Sequence, residues 1–348
     1  MEGLKIAGGW ANGHLLFNLP AAHFFYYAYN ALVYYLFGFY PSVVRIFNCF
    51  FGVFTGINVY FISRKMFGDT TAKIAAFLTI FFPSTLFQQT MNMKEALVTF
   101  LLTLIIKKLI DLKNQYEIKS FIIAIVSVFL LITTRDYAGI FMGFVVCAYF
   151  LFTVKISPLK KIVIFLIIFA MVGLISYKIG LGPFGIDYIK KYNLAYIDHL
   201  RKGEYQGGSE VLQDMSISTI PGLLKFIPIA FLYFMFSPFP WQLTGSLIQF
   251  FSSMENIIWY VLFAFFPSGI WAAFKKEKRI NTVLVTVLLG FTSLYTLQMA
   301  NMGLANRMKG QLLPIFFIFI ALGIAQFHKK MLHRIQSHAR DTSKSGEN

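Results

Sequence analysis

Long apolar runs separated by short polar turns dominate the chain, and their lengths match membrane crossings. A transmembrane helix needs roughly 20 mostly apolar residues. About ten stretches approach that length, at 43–63, 74–91, 96–112, 118–134, 138–154, 162–177, 223–236, 257–274, 282–300 and 312–327. The pattern predicts an all-α, polytopic transmembrane bundle. A shorter apolar run at 243–251, just after Pro238, Pro240 and Trp241, reads either as re-entrant or as part of an eleventh crossing.

Placing the intervening turns alternately on two sides puts the clusters Arg64/Lys65/Lys73, Lys107/Lys108/Lys113/Lys119, Lys155/Lys160/Lys161, Lys275/Lys276/Lys278/Arg279 and the C-terminal tail together. That side carries net +13 against +3 opposite. The positive-inside rule makes it the cytoplasm, so the C-terminus is expected inside and the protein in the cytoplasmic membrane. Parity then requires residues 223–254 to cross twice or not at all. Residues 21–37, rich in tyrosine, start and end outside by the same parity. Tyrosine favours the headgroup level, so this segment reads as a helix lying on the outer interface, with a short span as the alternative. Residues 1–18 are too polar and Gly-rich for a signal peptide.

Composition removes the competing classes. Of 348 residues, 57% are apolar and 13% charged, and mean hydropathy is +0.65, whereas soluble domains carry about 25% charged residues. The net charge of +16 sits in short clusters between apolar runs, which suits topology and membrane lipids and gives no reason to expect nucleic acid. Cys49 and Cys147 lie alone in apolar runs, supporting neither disulfide nor thiolate metal site. No nucleotide-binding loop, H-E-x-x-H, G-x-S-x-G or dinucleotide fingerprint is present. His328, His333 and His338 recur every five residues, which does not line one helical face.

Candidate chemistry concentrates in three short outer turns: Lys94-Glu95, Arg135-Asp136 and Arg307-Met308-Lys309. Outer cations run against the topological bias, and phosphate binding by guanidinium and ammonium groups would explain them; ion pairs capping helix ends are the plainer alternative. The loop at 178–222 carries Tyr188, Tyr192, Tyr196, Asp198, Glu210 and Asp214. Its first half is loosely amphipathic and could float on the interface, either covering an acceptor site or as a passive lid.

The succession Phe24-Phe25-Tyr26-Tyr27-Ala28-Tyr29-Asn30, Val44-Arg45-Ile46-Phe47-Asn48, Phe82-Pro83-Ser84, Lys94-Glu95-Ala96-Leu97 and Asn301-Met302-Gly303 to Arg307 resembles the GT-C superfamily of polyprenyl-phosphate-sugar-dependent membrane glycosyltransferases, especially the protein mannosyltransferase-like family 39 and its bacterial relatives. Gly207-Gly208-Ser209, Pro238-Phe239-Pro240-Trp241 and Glu255-Asn256-Ile257-Ile258-Trp259-Tyr260 look like one bacterial subgroup. The resemblance implies transfer of a sugar from a polyprenyl-phosphate donor to a glycan, lipid or protein acceptor at the outer face, with inversion. It implies that Glu95, with Asp136 as a weaker candidate, serves catalysis by orienting the acceptor or a divalent metal, the one cofactor it allows. Arg307 and Lys309 would hold the lipid phosphate, with Arg135 and Lys94 as weaker candidates. It also places a first span and a catalytic Asp ahead of the interfacial helix. Glu2 is the only acid before Asp69, so a segment carrying both is expected upstream, with an inactive paralogue as the alternative. The expected organisation is an outer loop remnant at 1–42, membrane modules at 43–177 and 223–327, the outer loop at 178–222 and a disordered basic tail at 328–348. A polysaccharide polymerase or ligase is the rival enzyme, and a flippase of lipid-linked sugars the rival transporter.

Overall fold

The computed structural model describes residues 2–12, 23–114, 117–153, 157, 159, 193–203, 210–242 and 247–345. Its regular structure among these residues is helical, the one extended pairing among them being an isolated antiparallel bridge between Glu210 and Asn301. The helices are α1 (Glu2–Ala11), α2 (Phe24–Phe37), α3 (Pro41–Phe67), α4 (Asp69–Phe81), α5 (Pro83–Thr90), α6 (Glu95–Asn114), α7 (Ile118–Thr134), α8 (Asp136–Thr153), α9 (Leu194–Gly203), α10 (Ile220–Phe236), α11 (Leu247–Phe263), α12 (Phe266–Lys276), α13 (Lys278–Leu297) and α14 (Met302–Ser345).

Among the described residues four helices are long and apolar enough to cross a bilayer: α3, the run Phe250–Lys276 through α11 and α12, α13 and α14. The pair α4–α5 makes a fifth, bent by 55° where Pro83 begins α5 and can supply no N–H to continue the ladder. Helices α7, α8 and α10 are apolar but shorter. Helix α6 has 20 residues but ends in Lys107, Lys108, Asp111 and Lys113. The span expected at 162–177 lies outside the described residues. Outward faces carry Phe54, Phe77, Phe144, Leu232 and Val261, all exposed, as a lipid-facing surface requires. The core joins α6, α13 and α14, where Leu102, Ile105, Phe291, Tyr295, Leu313 and Phe317 are buried.

Two ends of the bundle can be told apart. At one, Lys65 pairs with Asp111 at 3.0 Å, Lys73 with Asp69 at 2.6 Å, and Lys276 lies 5.9 Å from the Phe67 ring. This basic end gathers the Arg64, Lys107 and Lys275 clusters. The other end carries the Met91–Lys94 turn, Arg135 and the start of α14, and is called the site end below.

Helix α2 has only 14 residues, and both its flanks lie at the site end, so it rests there without crossing. Its Tyr26, Ala31, Val33 and Tyr34 are buried while Leu32, Tyr35, Leu36 and Phe37 are exposed. Residues 2–11, read as loop, instead form helix α1 and pack on α2, with Gly3 so close that a Cβ there would stand 2.8 Å from that of Asn30.

Helix α10 is the other exception to simple alternation. Its N-terminal side joins a segment whose Val211 N–H donates to Ala300 O at 2.9 Å, at the start of α14. Its C-terminal carbonyls are taken by α11: Trp259 Nε1 donates to Met235 O at 2.9 Å, Tyr260 Oη to Phe236 O at 2.6 Å and Asn256 Nδ2 to Pro238 O at 2.9 Å. These donors satisfy carbonyls that a helix end leaves open. These contacts favour, of the two options parity left open, the one in which α10 does not cross. Of the run at 243–251, residues 247–251 are the first turns of α11, and 243–246 lie outside the described residues. The tail expected to be disordered continues α14 to Ser345, with every side chain from His328 to Ser337 exposed.

Candidate functional site

The Met91–Lys94 turn links the bent pair α4–α5 to α6, and buried amides and phenols hold it in place. Asn48, fully buried in α3, donates from Nδ2 to Met91 O at 2.7 Å and Met93 O at 3.3 Å. Tyr29 Oη donates to Asn48 Oδ1 at 3.2 Å. Tyr26 Oη donates to Asn92 Oδ1 at 2.6 Å, and Asn92 Nδ2 donates to Tyr34 Oη at 3.3 Å. Tyrosines read as headgroup anchors therefore also turn inward as a clamp on the residues leading into Lys94 and Glu95.

Glu95 is the first residue of α6 and Asp136 the first of α8, where the helix dipole favours a carboxylate. Glu95 is 4% exposed and Arg135 5%, and Arg135 Nη2 stands 3.9 Å from Glu95 Oε1. The Arg135 guanidinium is flanked by the Tyr137 and Tyr295 rings at 5.5 and 5.8 Å, within cation–π range, and its Nη1 has no hydrogen-bond partner. Tyr295 is fixed in turn by donating to Gln311 Oε1 at 2.6 Å. Asp136 is half-buried and accepts from the Tyr137 backbone N–H at 2.8 Å.

His23, with φ of 70° in the left-handed region that non-glycine residues rarely occupy, completes the cluster. Its Nδ1 is 2.8 Å from Thr134 O. A carbonyl can only accept, so Nδ1 carries the proton and Nε2 is left as the acceptor for Lys94 Nζ, 2.8 Å away. Burial, then the neighbouring Lys94 charge, lowers the His23 pKa, in keeping with a neutral ring. Burial pushes Lys94 down to about 8, and the charges of Arg135 and Arg307 act in the same direction.

Lys94, Glu95, Arg135 and Asp136 thus come together, with exposed Arg307 near enough for its charge to act on Lys94. Lys309 does not join them. Two positions apart on a helix means opposite faces, and Lys309, 3% exposed, donates to Asn256 Oδ1 at 3.1 Å and lies 5.9 Å from the Trp259 ring. His23, Asn48, Tyr295 and Asn256 escaped the sequence reading as site residues. Only His23, a lone imidazole before an aromatic helix, offered a local signal.

Side-chain contacts pin the described part of the long loop. Arg201 Nη2 pairs with Asp198 Oδ1 at 2.9 Å, Ser216 Oγ donates to Asp198 Oδ2 at 2.7 Å, and the Arg201 guanidinium covers the Phe226 ring at 4.8 Å. Burial alone would raise the Asp198 pKa, but Ser216, Arg201 and Lys202 outweigh it and hold the carboxyl below its ordinary range. Tyr188, Tyr192 and Gly207-Gly208-Ser209 lie outside the described residues. Among the described residues no group of three or more His, Cys, Asp or Glu side chains converges as a metal site would require.

Residues 23–178 match the family model described as dolichyl-phosphate-mannose-protein mannosyltransferase. No curated protein sequence matches the chain. Among solved structures, the archaeal oligosaccharyltransferase AglB from Archaeoglobus fulgidus, in complex with an inhibitory peptide and a dolichol-phosphate, aligns with a TM-score of 0.54 at 14% identity, over 92% of this chain and 44% of its own. ArnT from Cupriavidus metallidurans, bound to undecaprenyl phosphate, aligns with a TM-score of 0.55 at 14% identity, over 97% and 59%. The chain therefore spans about half the length of these structures. Helical architecture and both alignments agree on the fold, which this chain shares with these two membrane proteins.

Proposed function

We propose that this multi-pass membrane protein transfers a sugar from a polyprenyl-phosphate carrier to a glycan, lipid or protein acceptor, and that the site end faces outward from the cytoplasmic membrane. The observation that carries the reading is the convergence of Lys94 and Arg135 beside Glu95 and Asp136, with the Arg307 charge acting on Lys94, at the end of the bundle that bears less positive charge. Both solved relatives quoted above were obtained with an isoprenoid phosphate, which supports the donor class.

In the proposed reaction the bond between the anomeric carbon and the carrier's phosphate oxygen breaks, and its electron pair stays on the phosphate. A bond from the acceptor hydroxyl forms on the opposite face, inverting the centre, and the hydroxyl proton leaves to a base. The charge growing on the phosphate is what the cations of this site would stabilise. In this reading exposed Arg307 meets a phosphate arriving from the membrane, and Lys94 takes it deeper. Arg135 offers its free Nη1. Asp136 is the more accessible carboxylate, suited to orient the acceptor hydroxyl. Glu95, buried against Arg135, acts through that guanidinium as a positioning residue. No residue is assigned as the base.

Purified Arg307→Ala and Asp136→Asn proteins, checked for normal insertion, test the reading with a polyprenyl-phosphate sugar and a panel of acceptors. Transfer is expected to fall on the order of a hundredfold in each, the usual consequence of removing one group that stabilises the transition state. Unchanged transfer in both would overturn these assignments.

A further inference from the structure

At the basic end, away from the proposed chemistry, α3 and α6 leave a cleft of about 480 Å³, within the roughly 300–1,000 Å³ of ligand-binding clefts. Phe61, Ile62 and Ile110 wall it, and Arg64, Lys65 and Lys107 rim it. The one acid in the lining, Asp111, is already engaged by Lys65 at 3.0 Å and Lys108 at 3.5 Å. Arg64 reaches Asp69 only at 4.0 Å. Lys107 is half-buried; its ammonium lies 4.9 Å from the Phe61 ring, feels the Asp111 charge, and makes no hydrogen bond or ion pair among the described residues.

A partly desolvated ammonium above an apolar wall, with a second cation beside it, calls for an amphiphile with an anionic head. The mouth opens where α3 turns its exposed Phe61 outward, so an acyl chain can follow the lipid-facing surface while the head stays on the cations. We infer that this cleft holds one anionic glycerophospholipid, its phosphate on Lys107 and Arg64 and the start of a chain along Phe61 and Ile110. The bilayer supplies such a lipid at the rim without any entry path through the protein, and the charge balance of the cleft selects anionic over zwitterionic heads. The site is independent of the proposed sugar transfer.

Native mass spectrometry of the full chain released from mild detergent tests this with four probes: phosphatidylglycerol, phosphatidylcholine with the same chains, a polyprenyl monophosphate and inorganic phosphate. Phosphatidylglycerol is expected to remain bound, and its retention to fall about fivefold in Lys107→Gln, the size of one cation's attraction to an anionic lipid surface. Lys107→Arg should retain it. Lys119→Gln, an exposed lysine outside the cleft lining, should leave it unchanged. Equal retention of phosphatidylcholine, or wild-type retention in a folded Lys107→Gln protein, would overturn the site. Displacement of phosphatidylglycerol by equimolar polyprenyl monophosphate would overturn the choice of lipid, and retention of inorganic phosphate with equal strength would overturn the role of the apolar wall.

Discussion

Lys94 gives the site a pH dependence whose sign follows from its burial. Its pKa stands near 8, against about 10.4 for an unperturbed lysine. The unfolded chain therefore binds more protons between these values, so this residue's contribution to stability rises with pH across that window. The proposed phosphate contact needs the ammonium and moves the other way: donor affinity should weaken as pH rises through about 8. A KM–pH profile for the lipid donor should show that limb, and Lys94→Arg, which stays charged, should flatten it. A profile unchanged by the substitution would remove Lys94 from donor binding. The Glu95–Arg135 pair makes a different statement. Truncating Arg135 to Ala strands a buried carboxylate, a loss of about 3–5 kcal/mol that would confound any activity assay. Arg135→Lys keeps the charge but loses the planar fork between the two tyrosine rings, and should lower transfer at least tenfold while melting far closer to the wild type. Thermal unfolding in detergent, run beside the assay, separates the two effects.

Helix α2 and the turn it clamps behave as one unit, because Asn48 takes the Met91 and Met93 carbonyls and the α2 tyrosines take the Asn92 side chain. Asn48→Ala removes both carbonyl contacts and leaves the Met93 carbonyl without this donor, while Met91 O keeps the Met93 N–H; the change should cost about 1–3 kcal/mol and loosen Lys94 and Glu95 together. The expected signature is a lower melting temperature with slower transfer, rescued in part by Asn48→Gln only if the longer amide still reaches Met91. This clamp could not be read from sequence. Tyrosines at an interface and tyrosines turned inward look alike until α3 and α6 supply their partners, and Asn48 sits in an otherwise ordinary apolar run. The contact of α12 with α14 was equally hidden, although its cause is simple. A Cβ on Gly269 would collide with the Phe319 carbonyl, and one on Gly323 with that of Phe265, so the backbones touch where small residues permit, as membrane helices do. Gly269→Leu should separate them and abolish the folded monodisperse protein on size-exclusion chromatography, whereas Gly8→Leu, in open space, should not.

At the scale of the whole molecule, the apolar helices were legible because each needs only its own residues, yet of about ten expected crossings four, or five with the bent pair, have a span's length and composition among the described residues. The pairing of Lys94-Glu95 with Arg135-Asp136 was partly legible, since alternation places both turns at one end, but their contact depends on how α6, α7 and α8 pack. What local pattern could not decide is α10. It is as apolar as a span, with Phe226, Ala230 and Phe234 buried, yet both its ends are held by side chains of other helices: Arg201 over Phe226 at the start, and Asn256, Trp259 and Tyr260 at the finish. That arrangement is testable without an activity assay. Single cysteines at Asp214 and Gln242, in a chain whose Cys49 and Cys147 have been replaced by serine, should both react with a membrane-impermeant maleimide added from the same side. A cysteine at Arg307 should share that side, and one at Lys275 should react only after the membrane is permeabilised. If α10 crossed the bilayer, Asp214 and Gln242 would label from opposite sides, the alternation after it would shift by one, and Arg307 could no longer share an end with Glu95.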